Sequence, residues 1–337
     1  MKSIVNWGVL STAKIGREQV IPAIQASRYS RVLGIGSGNS DFAKTIALQH
    51  GIERVYDSYD KVLEDPKIEA VYIPLPNHLH VEWSIKALAA GKHVLCEKPI
   101  GLNSAEAEKL LKASERFPHL KIMEAFMYRH HSQWHKVKSI VDNGTIGKIR
   151  SINLFFSYYN IDPNNIRNKI EIGGGALMDI GCYCISFSRF ILNSEPEKVF
   201  GMMDLDPEMK TDRLTTGILS FSTGTTASFT CSTQLMPYQR VNIVGEEGRI
   251  DVEIPVNAPF DKMIRVWIHT NEYTEEVTFN PVNQYTLQAD YFSRAIIEDR
   301  TIEFALNDSI QNMRVIDAIV RSNKEGRWVN LSEERGV

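Results

Sequence analysis

Short apolar runs alternate with amphipathic stretches through the first third of the chain. Ile4–Leu10, Arg31–Ile35, Glu69–Ile73, His93–Cys96 and Lys121–Glu124 are brief and rich in β-branched residues, the pattern of buried strands. Between them apolar positions recur at helical spacing. Asp41–His50 is bounded by Asn39 or Ser40 as N-cap and by Gly51 at its end. Val81–Ala90 stops at Gly91, and Ala105–Arg116 follows Ser104 as N-cap and stops ahead of Pro118. Pro22 falls inside the first helical pattern and predicts a break there. Strands alternating with helices imply βαβ units, hence a parallel sheet with right-handed crossovers.

After residue 145 the pattern changes. Lys148–Tyr159, Thr215–Phe221, Thr225–Thr233, Arg240–Val244, Arg249–Ile254, Ile264–Thr270 and Glu275–Phe279 read as strands, with Ser222-Thr223-Gly224 as a hairpin turn. Consecutive strands with short turns make an antiparallel sheet. Helical patterns return at Leu177–Leu192, Tyr285–Asp299 and Ser309–Lys324, so this part is α+β. Helices on one face of such a sheet leave the other open. The open face carries Leu219, Phe221 and Phe229 or their alternating neighbours, and an open apolar sheet face is an association surface. The expectation is a homodimer or homotetramer built through this sheet.

The 337 residues suit two domains of about 150 residues each. Net charge is −3, from 38 basic and 41 acidic side chains. A generic nucleic-acid binder is basic, because phosphate neutralisation drives its affinity, so nucleic acid is not an expected partner. No apolar run reads as long enough to cross a bilayer, so no membrane is expected either. The opening MKSIVNWGVLSTAKIG lacks the apolar core and cleavage site of a signal peptide and reads as mature structure. Cys96, Cys182, Cys184 and Cys231 form no CxxC pair and are too sparse for a disulfide scaffold. They read as small buried residues of a protein in the reducing cytoplasm.

Candidate chemistry begins where the first strand ends. Ser11-Thr12-Ala13-Lys14-Ile15-Gly16 stands in place of a G-x-G-x-x-G turn, with Ser11 and Ala13 at the first two glycine positions. A dinucleotide needs small residues there, so that the backbone turns tightly and approaches the pyrophosphate, while Gly16 lets the helix pack on the strand. The helix N-terminus then offers free N–H groups to phosphates. Small residues at such a turn also serve packing alone. The second strand ends in Ile35-Gly36-Ser37-Gly38-Asn39-Ser40, with no carboxylate to hold a ribose 2′-hydroxyl. Ser37 suits a 2′-phosphate and Lys44 stands a turn further on. NADP is therefore expected ahead of NAD, although no arginine completes a positive clamp.

Two loops follow strands: Pro74-Leu75-Pro76-Asn77-His78-Leu79-His80 and Glu97-Lys98-Pro99. With them, the stretches GVLSTAKIG (8–16), AVYIPLPNHLH (70–80), AGKHVLCEKPI (90–100), EAFMYRHH (124–131) and GGGALMDIGCY (173–183) give the chain a resemblance to the Gfo/Idh/MocA oxidoreductases over essentially its whole length. The resemblance implies a Rossmann domain at 1–124 that binds NAD(P). It implies an α+β domain at 125–337, with a large open-faced, mostly antiparallel sheet for substrate binding and oligomerisation. It also implies hydride transfer between nicotinamide and a sugar, polyol or vicinal diol. In the family's EKP motif the lysine is the catalytic or substrate-orienting residue, here Lys98. A cofactor that becomes positive on oxidation disfavours the Lys98 ammonium, readying it for proton transfer or for holding the reacting oxygen. Without the resemblance, a surface ion pair with Glu97 reads equally well.

Gly173-Gly174-Gly175 lets the backbone approach a ligand or bend sharply before a helix. Asp179 and Tyr183, four apart, share one helical face. Much of the family has histidine where this chain has Tyr183. The tyrosine resembles the branch containing glucose–fructose oxidoreductase, dimeric dihydrodiol dehydrogenase and NADP-dependent xylose dehydrogenase, where it is the acid–base group. The expected catalytic set is Lys98, Tyr183 and Asp179, with Arg167 joining them at the substrate. The expected cofactor set is Ser11, Thr12, Ala13, Ile15, Gly16, Ser37, Gly38, Pro74, Leu75, Asn77, His80, Glu97, Lys98 and Arg129. Phe155, Phe156, Tyr158 and Tyr159 read as sheet packing, with one of them reaching the cleft. His130, His131 and His135 lack a converging Cys or carboxylate, so no metal is expected. The competing reading is a redox-silent, nucleotide-sensing regulatory protein on the same fold.

Overall fold

The computed structural model describes residues 3–332. The early apolar runs become strands β1 (Val5–Leu10), β2 (Ser30–Gly36), β3 (Arg54–Tyr56), β4 (Ala70–Ile73), β5 (His93–Cys96) and β6 (Ile122–Glu124). They form one sheet in the order β3-β2-β1-β4-β5-β6, with every neighbouring pair parallel. Helices α1 (Ile21–Gln25), α2 (Ser40–His50), α3 (Tyr59–Glu64), α4 (His80–Ala89) and α5 (Ser104–Ser114) fill the crossovers, and α6 (Ser132–Asp142), α7 (Cys182–Leu192), α8 (Gln284–Ile297) and α9 (Leu306–Glu325) follow.

Helix ends follow local chemistry. Asn39 caps α2 by accepting from the Phe42 N–H, and Gly51 ends it at φ 66°. The cap of α5 is Asn103, which accepts from the Glu106 N–H, rather than Ser104. The break expected at Pro22 takes the form of a π turn, Gly16–Val20, whose last bond runs from the Ile21 N–H to the Gly16 carbonyl. Pro22 then stands in the first turn of α1, where its missing N–H leaves no bond unmade. Strand β3 and helix α3 are too short and too polar to stand out in the pattern. Val62 of α3 fills the space beside two strand glycines. A Cβ at Gly8 or Gly36 would lie 2.5 Å from a Val62 methyl.

Contacts divide the chain into two units. One contains the chain through His130 together with Asn283–Ile310; the other contains His131–Val282 and the chain from Gln311. Helix α8 belongs to the first because it is bonded into that core. Phe292 packs on the fully buried Trp7 at 5.5 Å between ring centroids, and the Trp7 indole donates to Ser293 Oγ at 3.1 Å. The sequence pattern, which places 125–337 in one domain, does not show this return of Asn283–Ile310 to the first unit.

The second unit is built on β7 (Ile149–Tyr159), β8 (Lys198–Leu205), β9 (Asp212–Ser220), β10 (Thr226–Ser232), β11 (Gln234–Gly245), β12 (Gly248–Val252), β13 (Ile264–Thr270), β14 (Thr274–Phe279) and β15 (Val329–Asn330). The sheet order is β14-β13-β12-β11-β7-β10-β9-β8-β15. All neighbours are antiparallel except β7 and β10. Register sorts the two faces. Val199, Leu219, Ala227, Ile152, Ile243, Ile250 and Ile268 lie opposite one another across seven strands, and all are buried. Leu219, Phe221 and Phe229 are therefore on the covered side, and their alternating neighbours form the open face.

One segment departs from the sequence expectation about membranes. Ile170–Leu192 is long and apolar enough to cross a bilayer by length and composition, yet 78 % of its most apolar window is buried inside the fold. It is the central helical segment of the second unit. All four cysteines are buried free thiols.

Candidate functional site

In the first unit, the loops after β1, β4 and β5 leave three adjacent parallel strands at their carboxyl ends, and the strand order reverses between β1 and β4. Ligands of open α/β sheets bind at such a switch point. Ser11, Thr12, Ala13, Ile15, Pro74, Leu75, Asn77, Glu97 and Lys98 all lie on these loops, Gly16 opens the helical turn that follows, and Ser37 and Gly38 follow β2. Ser11 adopts φ 127°, a conformation that costs a non-glycine residue on the order of 1–3 kcal/mol. Its N–H donates to the Gly36 carbonyl and its Oγ accepts from the Ala13 N–H, both at 2.9 Å, so the serine is held in glycine's conformation. Gly16 is not sterically required: a Cβ there would meet Tyr72 and Pro74 at ordinary contact distance, 3.5 Å or more.

Past β2, Ser37 Oγ accepts from the Asn39 N–H at 3.1 Å, and a Cβ on Gly38 would meet nothing within 4 Å. This turn leaves room for a group larger than a hydroxyl, and no carboxylate stands in it. Lys44 is engaged elsewhere, paired with exposed Asp41 at 2.9 Å. The small, open turns fit a dinucleotide, and they fit its 2′-phosphorylated form.

The Glu97–Ile100 segment is held by buried side chains from neighbouring elements. The Tyr72 hydroxyl donates to Glu97 Oε1 at 2.6 Å. Burial, reinforced by the Glu97 charge, pushes the Tyr72 phenol well above its ordinary range, so it stays a donor. His80 was expected at the cofactor. Instead it is 1 % exposed, with Nδ1 2.7 Å from the Pro99 carbonyl and Nε2 2.7 Å from the Leu75 carbonyl. Burial lowers its pKa to about 4 against the pull of the two carbonyls, and the one N–H of the neutral ring donates to one of them. Arg129 was also expected at the cofactor. The structure buries it to 3 % exposure, flanks it with Phe126 and Phe304, and binds its Nη1 to Asp308 at 2.6 Å. Its charge is committed within the unit.

The histidine cluster has equally local roles. His130 stacks on Tyr291, and His131 caps α6 by accepting from the Gln133 N–H. Burial, with a smaller effect of His135, lowers His131 to about 4. Among the described residues no group of three or more His, Cys, Asp or Glu side chains is placed to hold a metal ion.

In the second unit the glycine run is dictated by close approach. The Gly174 and Gly175 N–H groups donate to the Lys169 and Arg167 carbonyls, at 2.9 and 2.8 Å. A Cβ on Gly174 would lie 2.5 Å from the Arg167 oxygen, and one on Gly175 would lie 1.9 Å from Asp212 Oδ1. The chain then enters a π turn, Leu177–Gly181, which continues into α7. Asp212, on β9, anchors this start: Oδ2 accepts from the Leu177 N–H at 2.7 Å and from Thr215 Oγ1 at 2.6 Å. Burial outweighs those bonds and raises the Asp212 pKa to about 6.

Asp179 stands in the π turn and Tyr183 one helical turn later. Asp179 Oδ2 accepts from the Tyr158 hydroxyl at 2.6 Å and pairs with Arg167 Nε at 2.9 Å. Burial and the Asp179 charge raise the Tyr158 pKa, keeping it protonated as a donor. Tyr183 is 5 % exposed, with Phe156 edge-on at 6.0 Å. The structure thus brings Asp179 and Arg167 together and adds Tyr158, one of the four aromatics that the sequence offers as sheet packing, and Asp212, which the sequence does not mark. Tyr158 had a usable signal: period two puts it on the same strand face as Phe156. Asp212 had none, being 35 residues from the amide it holds.

Comparisons with known proteins find matches in both parts of the chain. Residues 5–123 match the oxidoreductase family, NAD-binding Rossmann fold, and residues 134–251 match the GFO/IDH/MocA C-terminal domain. An uncharacterized oxidoreductase of Rhizobium meliloti is 42 % identical over 96 % of this chain and 98 % of its own. The D-xylose 1-dehydrogenase (NADP(+)) 2 of Haloferax volcanii is 32 % identical over 96 % and 99 %. A 3-ketoreductase from Actinomadura kijaniata, solved with NADP and TDP-benzene, superposes with a TM-score of 0.89 at 29 % identity, covering 95 % of this chain and 98 % of that one. That ketoreductase has also been solved with a tyrosine changed to phenylalanine and with a lysine changed to alanine or glutamate. A parallel sheet with a dinucleotide-type edge, a mostly antiparallel partner sheet and matches across both place the chain in the Gfo/Idh/MocA family, as an NAD(P)-binding oxidoreductase.

Proposed function

We propose that this oxidoreductase transfers hydride between NADP(H) and a hydroxyl-bearing carbon of a sugar, polyol or vicinal diol, with Lys98 and Tyr183 in acid–base roles. The observation that carries the reading is the Asp179 clamp: a carboxylate fixed by Tyr158 and Arg167 on the turn that delivers Tyr183. A packing residue has no need of two charge-assisted bonds and a glycine-bent approach. The relatives support this reading, since one is a D-xylose 1-dehydrogenase (NADP(+)) and the 3-ketoreductase is solved in complex with NADP. The ketoreductase's solved variants change the same two residue types.

Bound nicotinamide supplies the hydride acceptor, or the donor in the reverse direction. The turn Ser11–Ile15 and the loops at Pro74–Asn77 and Glu97–Lys98 would hold that cofactor, with Ser37 and Gly38 at the 2′-phosphate. Tyr183 takes the hydroxyl proton as the carbinol carbon is oxidised, and returns it in reduction. A tyrosine of pKa about 10 is a poor base at neutral pH unless a cation stabilises its phenolate, which is the role assigned to Lys98. Arg167 and Asp179 orient a neighbouring substrate hydroxyl. Absorbance of reduced nicotinamide, followed with NADP⁺ or NAD⁺ and a panel of aldoses, polyols and diols, is expected to rise, and faster with NADP⁺. Tight cofactor binding with no absorbance change on any substrate would overturn the reading in favour of a regulatory protein.

The open sheet face supports a second proposal, that copies of the chain pair through it. Met202, Thr216, Thr230, Phe155 and Arg240 form one cross-strand row on that face, with Phe200 and Ile218 in the next. Met202 is 62 % exposed and Tyr238, packed on Phe155, 53 %. Light scattering on a size-exclusion column is expected to give a homodimer or homotetramer; a clean monomer contradicts it. Four reduced cysteines fit a cytoplasmic home.

A further inference from the structure

Glu124 ends β6, in register with Cys96 at the end of β5, the strand that leads into Glu97 and Lys98. Its side chain is 6 % exposed and reaches across to the Ile100 N–H, which donates to Oε1 at 2.9 Å. Oε2 is buried with no hydrogen-bond partner among the described residues. The charged and titratable groups facing this carboxyl are Asp308 at the start of α9, Arg129 beyond β6, and Cys96 on β5; the Ser309 hydroxyl bonds to it. The lone guanidinium among them already serves Asp308 at 2.6 Å. Two carboxyls, buried Glu124 and partly exposed Asp308, therefore share one cation, and the arrangement favours a proton on the buried one. A stability role alone would be met by a glutamine, which keeps the acceptor for Ile100 and avoids a buried charge.

We propose that Glu124 is a positioning residue for Lys98: by holding the Ile100 amide it fixes the Glu97–Ile100 backbone, and it holds it more tightly when ionised. This rests on the reading of Lys98 as an acting residue. A carboxylate is a stronger acceptor than a carboxylic acid or an amide. Burial, with Asp308 adding to it, raises the Glu124 pKa to about 7, so the change falls in the working range. Turnover of the wild type is then expected to rise by about tenfold through pH 7, the scale of a small misplacement of a reacting group. In Glu124→Gln that inflection is expected to vanish, with kcat held near the acid-limb value and KM for cofactor within about twofold.

Stability gives a second readout, with its own sign. A carboxyl whose folded pKa is raised stabilises while protonated, below its unfolded value, and that contribution is lost as pH rises through the folded pKa. The melting temperature of the wild type is therefore expected to fall relative to Glu124→Gln between pH 5 and pH 8. Lys98→Met is measured alongside. Glu124→Gln keeping the pH 7 inflection, with Lys98→Met inactive, overturns the role of Glu124 alone. Lys98→Met with unimpaired turnover overturns both readings. A melting difference that changes with pH while the kcat profile does not would make Glu124 purely structural and would also overturn the proposal.

Discussion

Tyr183→Phe is expected to lower turnover by on the order of 10²–10⁴-fold, the usual scale for an acid–base group. The substitution removes one hydroxyl and leaves the ring. Tyr183 is buried against Phe156, so phenylalanine keeps the packing of the ring. If the hydroxyl acts only in the transition state, kcat and kcat/KM fall together and KM holds. Lys98→Met keeps the aliphatic stem and removes the charge, and its loss should fall in the same range. Because the two residues are assigned to one proton transfer, the double variant is expected to be little worse than the poorer single. Single-turnover and steady-state assays on purified, cofactor-saturated variants check this. Near-parental turnover from pure Tyr183→Phe removes the role assigned to that tyrosine.

Much of the scaffold behind this prediction is legible in the chain because it follows local rules. The parallel strands other than β3 are largely buried, so they read as short apolar runs. Asn39 and Gly51 bracket α2 by the chemistry of caps. What is illegible has a physical cause in each case. Arg129 looks like a ligand for phosphate or sugar oxygens until Asp308, 179 positions away, appears at its guanidinium. His80 looks like a ribose contact, and only the fold shows both ring nitrogens turned to backbone carbonyls. Strand β8 alternates weakly, because Gly201 takes an inward place where α9 closes on the sheet: a Cβ there would lie 2.7 Å from Ile319. Helix α8 reads as a helix, but no local pattern states that Phe292 will pack on Trp7. Tyr158 is the instructive case. Four aromatics interrupted only by Ser157 obscure a period of two, and the parity that joins Tyr158 to Phe156 means something only once Asp179 and Tyr183 are known to lie over that face.

The largest expected loss of stability comes from one methyl group. Gly175→Ala places a Cβ 1.9 Å from Asp212 Oδ1, at a residue with φ +119°. Two costs combine. The backbone conformation is one that alanine rarely adopts, on the order of 1–3 kcal/mol. The carboxylate must also move, which strands the Leu177 N–H and the Thr215 hydroxyl in the interior, at about 1–3 kcal/mol for each unmet group. Together they suggest roughly 3–9 kcal/mol, a sizeable share of the stability of an ordinary domain. Gly91→Ala is the matched control. It too has positive φ, +75°, but a Cβ there meets nothing within 4 Å, so only the left-handed strain of about 1–2 kcal/mol applies. Urea melts of the two variants should therefore differ by about 2–6 kcal/mol, the part that belongs to Asp212. The same comparison reads function. Asp212 anchors the turn that carries Asp179, so folded Gly175→Ala should also lose turnover, whereas Gly91→Ala should retain it. Equal destabilisation in the two variants would mean that the carboxylate shifts without cost, and that the start of α7 is held by something other than Asp212.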